Sequence, residues 1–313
     1  MTVSKLIAAC LIALAAPTAS AASDEHMPPL IEPAWLAERL EETDLVVLDI
    51  RNPYGGADRM TYEMGHIPGA VYSNYITDAW HDRRTPVPAT LPPVAQLEAL
   101  LGRLGIGNDS RVVLVHSGTD SSDFSSSARV YWIFRLLGHD AVGILDGGFR
   151  GWERAGLPFE QGWVEPQPAH FTARLREELL ATTTEVEAAL RRGVQLVDGR
   201  ARELYEGVRK ARLAARAGTL PTAKNLDHRR MIDPETGRMI GREALLALLE
   251  ESGVRRTDET VTFCNVGHWS ATTWFALHVL LGFQNVSLYD GSVIEWAASP
   301  ERPMVILNGA LRR

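Results

Sequence analysis

The chain repeats itself once, at the spacing of a whole domain, and this duplication constrains its fold more than any other feature. Four segments of the first half resemble four segments of the second half in the same order, roughly 150 positions apart. The pairs are "LVVLDIR" with "VQLVDGR", "GHIPGA" with "GTLPTA", "DSRVVLVH" with "DETVTFC", and "LLGHDAVGILDGG" with "LLGFQNVSLYDGS". A repeat of this length indicates two copies of one domain and not a solenoid of short units.

Each half alternates strand-like and helix-like segments. Short β-branched runs such as "LVVLDI", "RVVLVH" and "VGIL" are typical of strands buried on both faces. Helical patterns such as "PVAQLEALLGRLG" and "TEVEAALRRG" lie between them and end at glycine. This order predicts an α/β fold in each half, with a parallel sheet flanked by helices on both faces. We expect one domain over residues 27–160, a proline-containing linker over 161–178, and a second domain over 179–305.

The first 21 residues predict a secretory signal peptide. Lys5 precedes the apolar run "LIAACLIALAAP", and Ala19, Ser20 and Ala21 form a small-residue cleavage site. The run is short for an uncleaved membrane anchor, and too little apolar sequence precedes Cys10 to favour a lipoprotein. We therefore expect a periplasmic or secreted protein that has no membrane segment after cleavage. Its net charge of -7 argues against a general nucleic-acid binder.

Cleavage of this signal would leave Cys264 as the single cysteine, at the end of a predicted strand. One thiol cannot form an internal disulfide, although exported proteins often use cysteines in pairs. The loop "CNVGHWS" leads into a helical pattern, so several amides and a helix N-terminus can point at the sulfur. Cysteines so placed can have pKa values of roughly 3.5–7.5, against about 8.5 for a free thiol. Cys264 is therefore a candidate nucleophile, and a buried bystander is the alternative.

The duplicated segments resemble the tandem-domain rhodanese sulfurtransferases over nearly the whole mature length. The resemblance rests on "LDIRNPYGGADRMTYEMGHIPGAVYSN" and on the domain ends "ILDGGFRGWERAGLPFE" and "LYDGSVIEWAASPERPM". It implies two domains of one fold, of which only the C-terminal one is active. It also implies that Cys264 carries a persulfide between a small sulfur donor, thiosulfate or a 3-mercaptopyruvate-like compound, and a thiol or cyanide-like acceptor. That chemistry requires neither a metal nor an organic cofactor.

The cysteine loop departs from both substrate types of that family. Thiosulfate enzymes have basic residues after the cysteine and mercaptopyruvate enzymes have small ones, whereas this loop is Asn265, Val266, Gly267, His268, Trp269 and Ser270. His268 could donate a hydrogen bond to a substrate or bond the backbone, and Trp269 could wall the pocket or pack beneath the loop. We expect Asp49, Arg51, His66, Asp198 and Arg200 to be scaffold residues at strand ends and turns.

Substrate-binding residues outside the loop are harder to predict. Mercaptopyruvate enzymes resemble one another in an arginine-rich stretch after the second domain's first strand, but Leu204 and Glu206 occupy its usual arginine positions here. Arg209, Arg212 and Arg216 follow shortly after, so one of them could bind an anionic substrate. From the first domain, His81, Arg83 and Arg84 could approach the cleft between the domains. A solvated charged helix face is the alternative for each arginine.

Three further interpretations concern the nucleophile. The first half ends the matching strand at Val115 and His116, which indicates a domain without the nucleophile. We expect His116 to be a remnant loop residue, with a catalytic base as the alternative, and the Ser-rich loop, about five residues longer, to be flexible or an interface. Cysteine phosphatases have arginine six residues after the cysteine, and Ser270 at that position disfavours this class. A persulfide carrier or thiol-sensing partner protein that does not turn over is the alternative to an enzyme.

Overall fold

The computed structural model describes residues 27–82, 87–256 and 259–307, and it contains two five-stranded parallel sheets. The first sheet has the order β1-β5-β4-β2-β3, and its strands are β1 (Leu30–Ile31), β2 (Leu45–Asp49), β3 (Val71–Tyr72), β4 (Arg111–Val115) and β5 (Val142–Leu145). The second has the order β6-β10-β9-β7-β8, and its strands are β6 (Leu180–Ala181), β7 (Gln195–Asp198), β8 (Lys224–Asn225), β9 (Thr260–Phe263) and β10 (Val286–Tyr289). The identical order confirms the duplication.

The described residues form ten α-helices, which alternate with these strands. Those of the first domain are α1 (Pro33–Ala37), α2 (Arg59–Met64), α3 (Val94–Arg103), α4 (Ser121–Leu136) and α5 (Gly148–Arg154). Those of the second are α6 (Thr183–Arg192), α7 (Arg202–Tyr205), α8 (Arg242–Ser252), α9 (His268–Trp274) and α10 (Ser292–Ala298). A π-helical segment, Phe275–Leu280, continues α9 directly. Within the described residues, each sequence pattern quoted above as a helix or strand falls on an element of that type, with ends shifted by a few residues.

Alternate residues of each central strand pack against helices on opposite faces of the sheet. In β4, Val112 and Leu114 join a core that contains α3 and α4, whereas Val113 and Val115 join a cluster with α1 and α5. In the second domain, Val197 of β7 joins the core that contains α8 and α9, whereas Leu196 of β7 and Val261 and Phe263 of β9 join a cluster with α6 and α10. The predicted α/β fold with helices on both faces is confirmed.

The two domains share one hydrophobic core through α4 and α9. The rings of Phe124 and Tyr131 on α4 meet Phe275 edge to face, with centroids 6.1 and 4.9 Å apart. Small polar residues line the rest of the contact, where the hydroxyls of Ser125 and Thr272 lie 2.8 Å apart. Because small side chains let helix backbones approach closely, this pair holds the nucleophile loop at the start of α9 against the first domain.

The Ser-rich segment of the first half is not the longer loop predicted from the sequence. Residues 121–127 form the first two turns of α4, and Asp120 caps the helix by accepting bonds from the amides of Ser122 and Asp123. The connection after β4 spans five residues, against four after β9. The prediction of a loop about five residues longer was therefore wrong. A serine run reads as a loop in isolation, but here it is a buried helix surface suited to close packing.

The segment between the domains, residues 161–176, contains no helix or strand and runs along the first domain. Its backbone bonds to the helix ends there, since the amide of Ala169 donates to Gly102 and that of Arg174 to Leu137. Phe171 is buried in the shared core. The predicted signal peptide, together with Cys10, Arg83 and Arg84, lies outside the described residues.

Candidate active site

The nucleophile loop lies at the carboxyl edge of the second sheet, where α/β proteins bind ligands. Strand β9 is buried along its length and ends one residue before Cys264. Gly267 then adopts a left-handed conformation, with φ of 78°, and turns the chain into α9. A Cβ at this position would come within 2.7 Å of Asp290 and 2.8 Å of Arg129, so both the backbone angle and the space require glycine.

Ser292 fixes the shape of this loop from the start of α10. Its hydroxyl accepts bonds from the amides of Cys264 (3.1 Å) and Gly267 (3.2 Å), and donates to the carbonyl of Tyr289 (2.7 Å). Ser292 holds a positive φ of 50°, a backbone conformation that a non-glycine residue rarely adopts. Strain of this kind is typical of functional sites, where the surrounding structure maintains it.

Four other loop amides remain without an acceptor in the described part of the chain, namely those of Asn265, Val266, His268 and Trp269. The loop carbonyls, by contrast, are bonded, since Cys264 accepts from Val293 and Asn265 from Ile294. A short turn of unpaired amides beside a thiol forms a small concave site for one anion. The geometry therefore suits a thiolate, or a persulfide sulfur carried on it.

The first domain closes over this site, and Cys264 has no solvent exposure. His268 makes the closing contacts. Its Nε2 bonds the carbonyl of Ser122 at 2.9 Å, its Nδ1 lies 2.8 Å from the hydroxyl of Tyr75, and the ring of Tyr54 packs on it at 4.7 Å. All three partners belong to the first domain, so the domain without the nucleophile forms the cover of the site.

These contacts determine the protonation state of His268. Burial is the main cause that lowers its pKa well below the usual value, and the neighbouring imidazoles of His81 and His228 disfavour its protonation further. The ring is therefore neutral, and since Nε2 faces a carbonyl, Nε2 carries the proton and Nδ1 accepts from Tyr75. Burial likewise raises the pKa of Tyr75 well above its usual value. Of the two interpretations of His268, the structure shows the one in which it bonds backbone.

Trp269 closes the outer side of the loop. Its Nε1 donates to the hydroxyl of Ser122 at 3.0 Å, and its ring stacks on His228 with centroids 4.7 Å apart. Burial lowers the pKa of His228 to about 4, so this ring is also neutral near pH 7. A groove of about 420 Å³ lies outside Trp269, between the two domains. Trp269 thus both packs on its neighbours and walls this groove, while the adjacent Ser270 is fully buried.

The predicted substrate-binding residues divide into three groups. Arg209 lines the groove, where it is largely exposed and lies 3.5 Å from Glu203. His81 approaches the site through an edge contact with the ring of Tyr75 at 4.6 Å. The structure does not bring Arg216 to the loop, because its guanidinium donates to the carbonyls of Ala297 and Ser299 at the far end of α10. Arg84 lies outside the described residues.

Several functional residues have no clear signal in the sequence. Ser292 stands in the motif "LYDGS", which marked a domain end, but nothing there indicated a bond to the cysteine loop. Tyr54, Tyr75, Ser122 and His228 are far from Cys264 along the chain, and only packing brings them to it. The scaffold prediction agrees with the geometry, since Arg51 pairs with Asp49 and bonds the carbonyl of Gly65. The second-domain pair, Arg200 and Asp198, is arranged in the same way and bonds the carbonyl of Gly218.

The corresponding loop of the first domain is filled by its own side chains. The carbonyl of His116 accepts from Phe149 just as that of Cys264 accepts from Val293, so His116 occupies the nucleophile's position. The amides of Ser117, Gly118 and Thr119 donate to the carboxylate of Asp123, at 3.2, 2.7 and 3.1 Å. This loop therefore already holds an internal anion.

The two duplicated sheets, and Cys264 as the one cysteine of the described residues, define a two-domain α/β protein with a buried thiol where a strand leads into a helix. Residues 32–155 and 182–299 each match the family model of the rhodanese-like domain. The chain belongs to this family, as its sequence motifs predicted. No cluster of metal ligands occurs in the described ranges, and no described helix is long and apolar enough to cross a membrane.

The match to individual relatives extends over nearly the whole length of each relative. The chain is 32% identical to a putative thiosulfate sulfurtransferase of Mycobacterium leprae, over 86% of this chain and 94% of the relative. It is 30% identical to the sulfur carrier protein TtuD of Thermus thermophilus, over 87% and 94%. The crystal structure of SseA from Escherichia coli, described as a 3-mercaptopyruvate sulfotransferase, superposes with a TM-score of 0.74 at 28% identity, over 85% and 99%. These relatives support the predicted sulfurtransferase class.

Proposed function

We propose that this protein transfers sulfane sulfur through a persulfide on Cys264. The Cys264 thiolate attacks the outer sulfur of a small donor. A new sulfur–sulfur bond forms, and the bond between the transferred sulfur and the rest of the donor breaks. The leaving group departs with the electron pair, as sulfite if the donor is thiosulfate. An acceptor thiolate or cyanide then attacks the terminal sulfur, which restores the Cys264 thiolate and yields a persulfide or thiocyanate.

One observation carries this proposal: four amides of the loop that begins at the fully buried Cys264 have no acceptor among the described residues. Burial alone disfavours an ionised sulfur, whereas inward amides favour it. A persulfide sulfur is anionic near neutral pH, so a preorganised set of donors stabilises the intermediate without reorganisation at each transfer. The relatives named as thiosulfate and 3-mercaptopyruvate enzymes support these two donor classes.

The groove outside Trp269 is where we expect the donor to enter. Its arginines are already engaged, because Arg229 pairs with Asp227 at 2.7 Å and both Arg229 and Arg209 lie near Glu203. Leu204, which replaces a family arginine, lines the same groove. The groove thus offers an anionic donor little net positive charge.

A donor panel with intact-protein mass spectrometry tests the function. Thiosulfate and 3-mercaptopyruvate are incubated separately with the protein, and the mass gain and the product from cyanide are both measured. We expect a gain of one sulfur atom on Cys264 and multiple turnovers, and Cys264→Ser should lose both. Turnover that persists in Cys264→Ser would refute the proposal.

A persulfide carrier is the second candidate function. The relative named as a sulfur carrier and the complete burial of Cys264 favour it, because a covered persulfide is protected from small thiols. The same panel separates the two functions. A stoichiometric sulfur adduct without turnover to cyanide or a small thiol would identify a carrier.

We also propose export, on the strength of the N-terminal signal pattern. Expression of the full chain in a Gram-negative host should give a periplasmic protein whose N-terminus follows Ala21, as measured by fractionation and N-terminal mass. Retention of residues 1–21 on a cytoplasmic protein would refute this.

A further inference from the structure

Arg129, in the middle of α4, is a fully buried guanidinium that the function described so far does not use. Its Nη2 donates to Asp290 at 2.6 Å, across the boundary between the domains. Its plane rests on the ring of Trp132 at 4.5 Å. The Nε and Nη1 nitrogens, although buried, have no acceptor in the described part of the molecule.

The unpaired side of this guanidinium faces the nucleophile loop. Nη1 lies 2.8 Å from the point that a Cβ on Gly267 would occupy. The positive charge of Arg129 contributes to the lowered pKa of His268 and opposes the rise in that of Tyr75. Arg129 meets the loop at Gly267 and Tyr75 meets it at His268, so these buried groups and the buried Cys264 lie around one small space at the loop.

A buried cation with unsatisfied donors is costly unless negative charge lies nearby. Asp290 provides one negative charge, but its other oxygen accepts the amide of Leu91 at 2.6 Å. The loop itself supplies no cation, because Asn265 and Val266 follow the cysteine. A negatively charged sulfur on Cys264 would give the buried Arg129 a second anionic neighbour. In return, Arg129 would provide the positive charge that the loop lacks.

We propose that Arg129 is the cation of the active site and stabilises the anionic sulfur of Cys264, both as thiolate and as persulfide. The inference rests on the proposed function and extends it. The domain without a nucleophile then contributes charge as well as a cover. Arg129 would act through the electric field of its positive charge and through its unpaired N–H donors.

The other ionisable groups around this space come from both domains. The first domain contributes Tyr54, Tyr75 and His81, and the second contributes His268 and Asp290. His268 and Tyr75 are neutral near pH 7, because burial lowers the pKa of the first and raises that of the second. Arg129 and Asp290 are thus the charges to vary in a test.

The test measures alkylation of Cys264 by iodoacetamide in the reduced, full-length protein, which needs no donor or turnover. In Arg129→Gln the rate near pH 7 should fall about tenfold, the effect expected when one neighbouring positive charge is lost. Near pH 10, where an ordinary thiol is ionised, the two rates should converge. Arg129→Lys should recover much of the rate at pH 7.

Two matched variants separate this role from a purely structural ion pair. Asp290→Asn breaks the same pair but removes negative charge, so its rate at pH 7 should equal or exceed that of the wild type. Arg238→Gln breaks the 2.9 Å contact between Arg238 and Asp146, the aspartate equivalent to Asp290 in the first domain, and should leave the rate unchanged. Equal slowing in Arg129→Gln and Asp290→Asn, or slowing that persists at pH 10, would overturn the proposal. If Arg129→Gln does not fold, a slowed Asp290→Asn alone overturns it.

Discussion

The two loops that follow β4 and β9 occupy equivalent places in duplicated domains, yet only the first bonds a carboxylate of its own domain. In the first domain, three amides converge on the carboxylate of Asp123, and His116 stands at the nucleophile's position. In the second, Ser292 accepts bonds from two amides, and four more amides of the Cys264 loop have no acceptor among the described residues. Gly148 of the first domain, with φ of 58°, holds the left-handed position that Ser292 adopts in the second.

This difference shows that an amide-lined loop serves one anion at a time. A loop whose amides bond an internal carboxylate is stable but inert. A loop with unpaired amides can stabilise an anionic sulfur that forms during the reaction. The first domain retained structural tasks instead, since its Ser122, Tyr54 and Tyr75 cover the reactive loop. The domains therefore divide stability and reactivity between two copies of one architecture.

The largest expected effect comes from placing a thiol in the inert loop. His116→Cys, made in a Cys264→Ser background, should load less than about one hundredth of the sulfur that Cys264 loads, because Asp123 already occupies the amides and repels a second anion. Mass spectrometry after incubation with the donor measures this. Adding Asp123→Asn should increase the loading. Sulfur uptake by the first variant comparable to that of Cys264 would show that the loops do not differ in this way.

A second prediction separates backbone strain from crowding at the reactive loop. Gly267→Ala should lower the free energy of unfolding by roughly 3 kcal/mol, because the new Cβ would meet Asp290 and Arg129. Gly56→Ala is the matched control from the first domain, since Gly56 has φ of 70° and open space around its Cβ. That variant should cost about 1 kcal/mol, the strain of a left-handed alanine alone. Urea denaturation measures both, and equal costs would contradict the crowded geometry at Gly267.

The smallest effect concerns pH. Burial lowers the pKa of His228 to about 4, so the folded protein keeps this ring neutral while the unfolded chain protonates it below about pH 6.5. The unfolded state then binds more protons, and stability is lost as the pH falls from 6.5 towards 4, by at most about 1.4 kcal/mol per pH unit. Urea midpoints at pH 7 and 5 should differ less in His228→Gln. His170→Gln, at an exposed position of the linker, is the control, and an identical change there would contradict the assignment.

The sequence predicted the elements well where one pattern extends over several residues. The buried runs in β2, β4 and β9 and the amphipathic helices α3 and α6 follow from side-chain periodicity and from glycine at the helix ends. It failed at the start of α4, because a serine-rich surface is polar in composition but close-packed in the fold. The two-residue edge strands were missed, since two residues carry no periodicity.

Only the part of the candidate site that is continuous in sequence could be predicted. Cys264, Gly267 and their loop follow from a strand, a glycine and a helix in sequence. His268 could be read in two ways, because its choice between substrate and backbone depends on Ser122 and Tyr75 of the other domain. Arg216 was a candidate because it is cationic and follows the stretch in which related enzymes have their arginines, whereas its guanidinium bonds the end of α10.

The sequence by itself determined the duplication, the α/β class, the family and the choice of Cys264 as the candidate nucleophile, because each of these depends on local order and residue type. Only the tertiary structure decided that Cys264 is fully buried, that Asp123 fills the equivalent loop, and that Arg129 and Asp290 meet across the domain boundary. Those features arise where α4 packs on α9, between residues distant in the chain. Their electrostatic consequences follow from removal of water at that contact, which no linear pattern records.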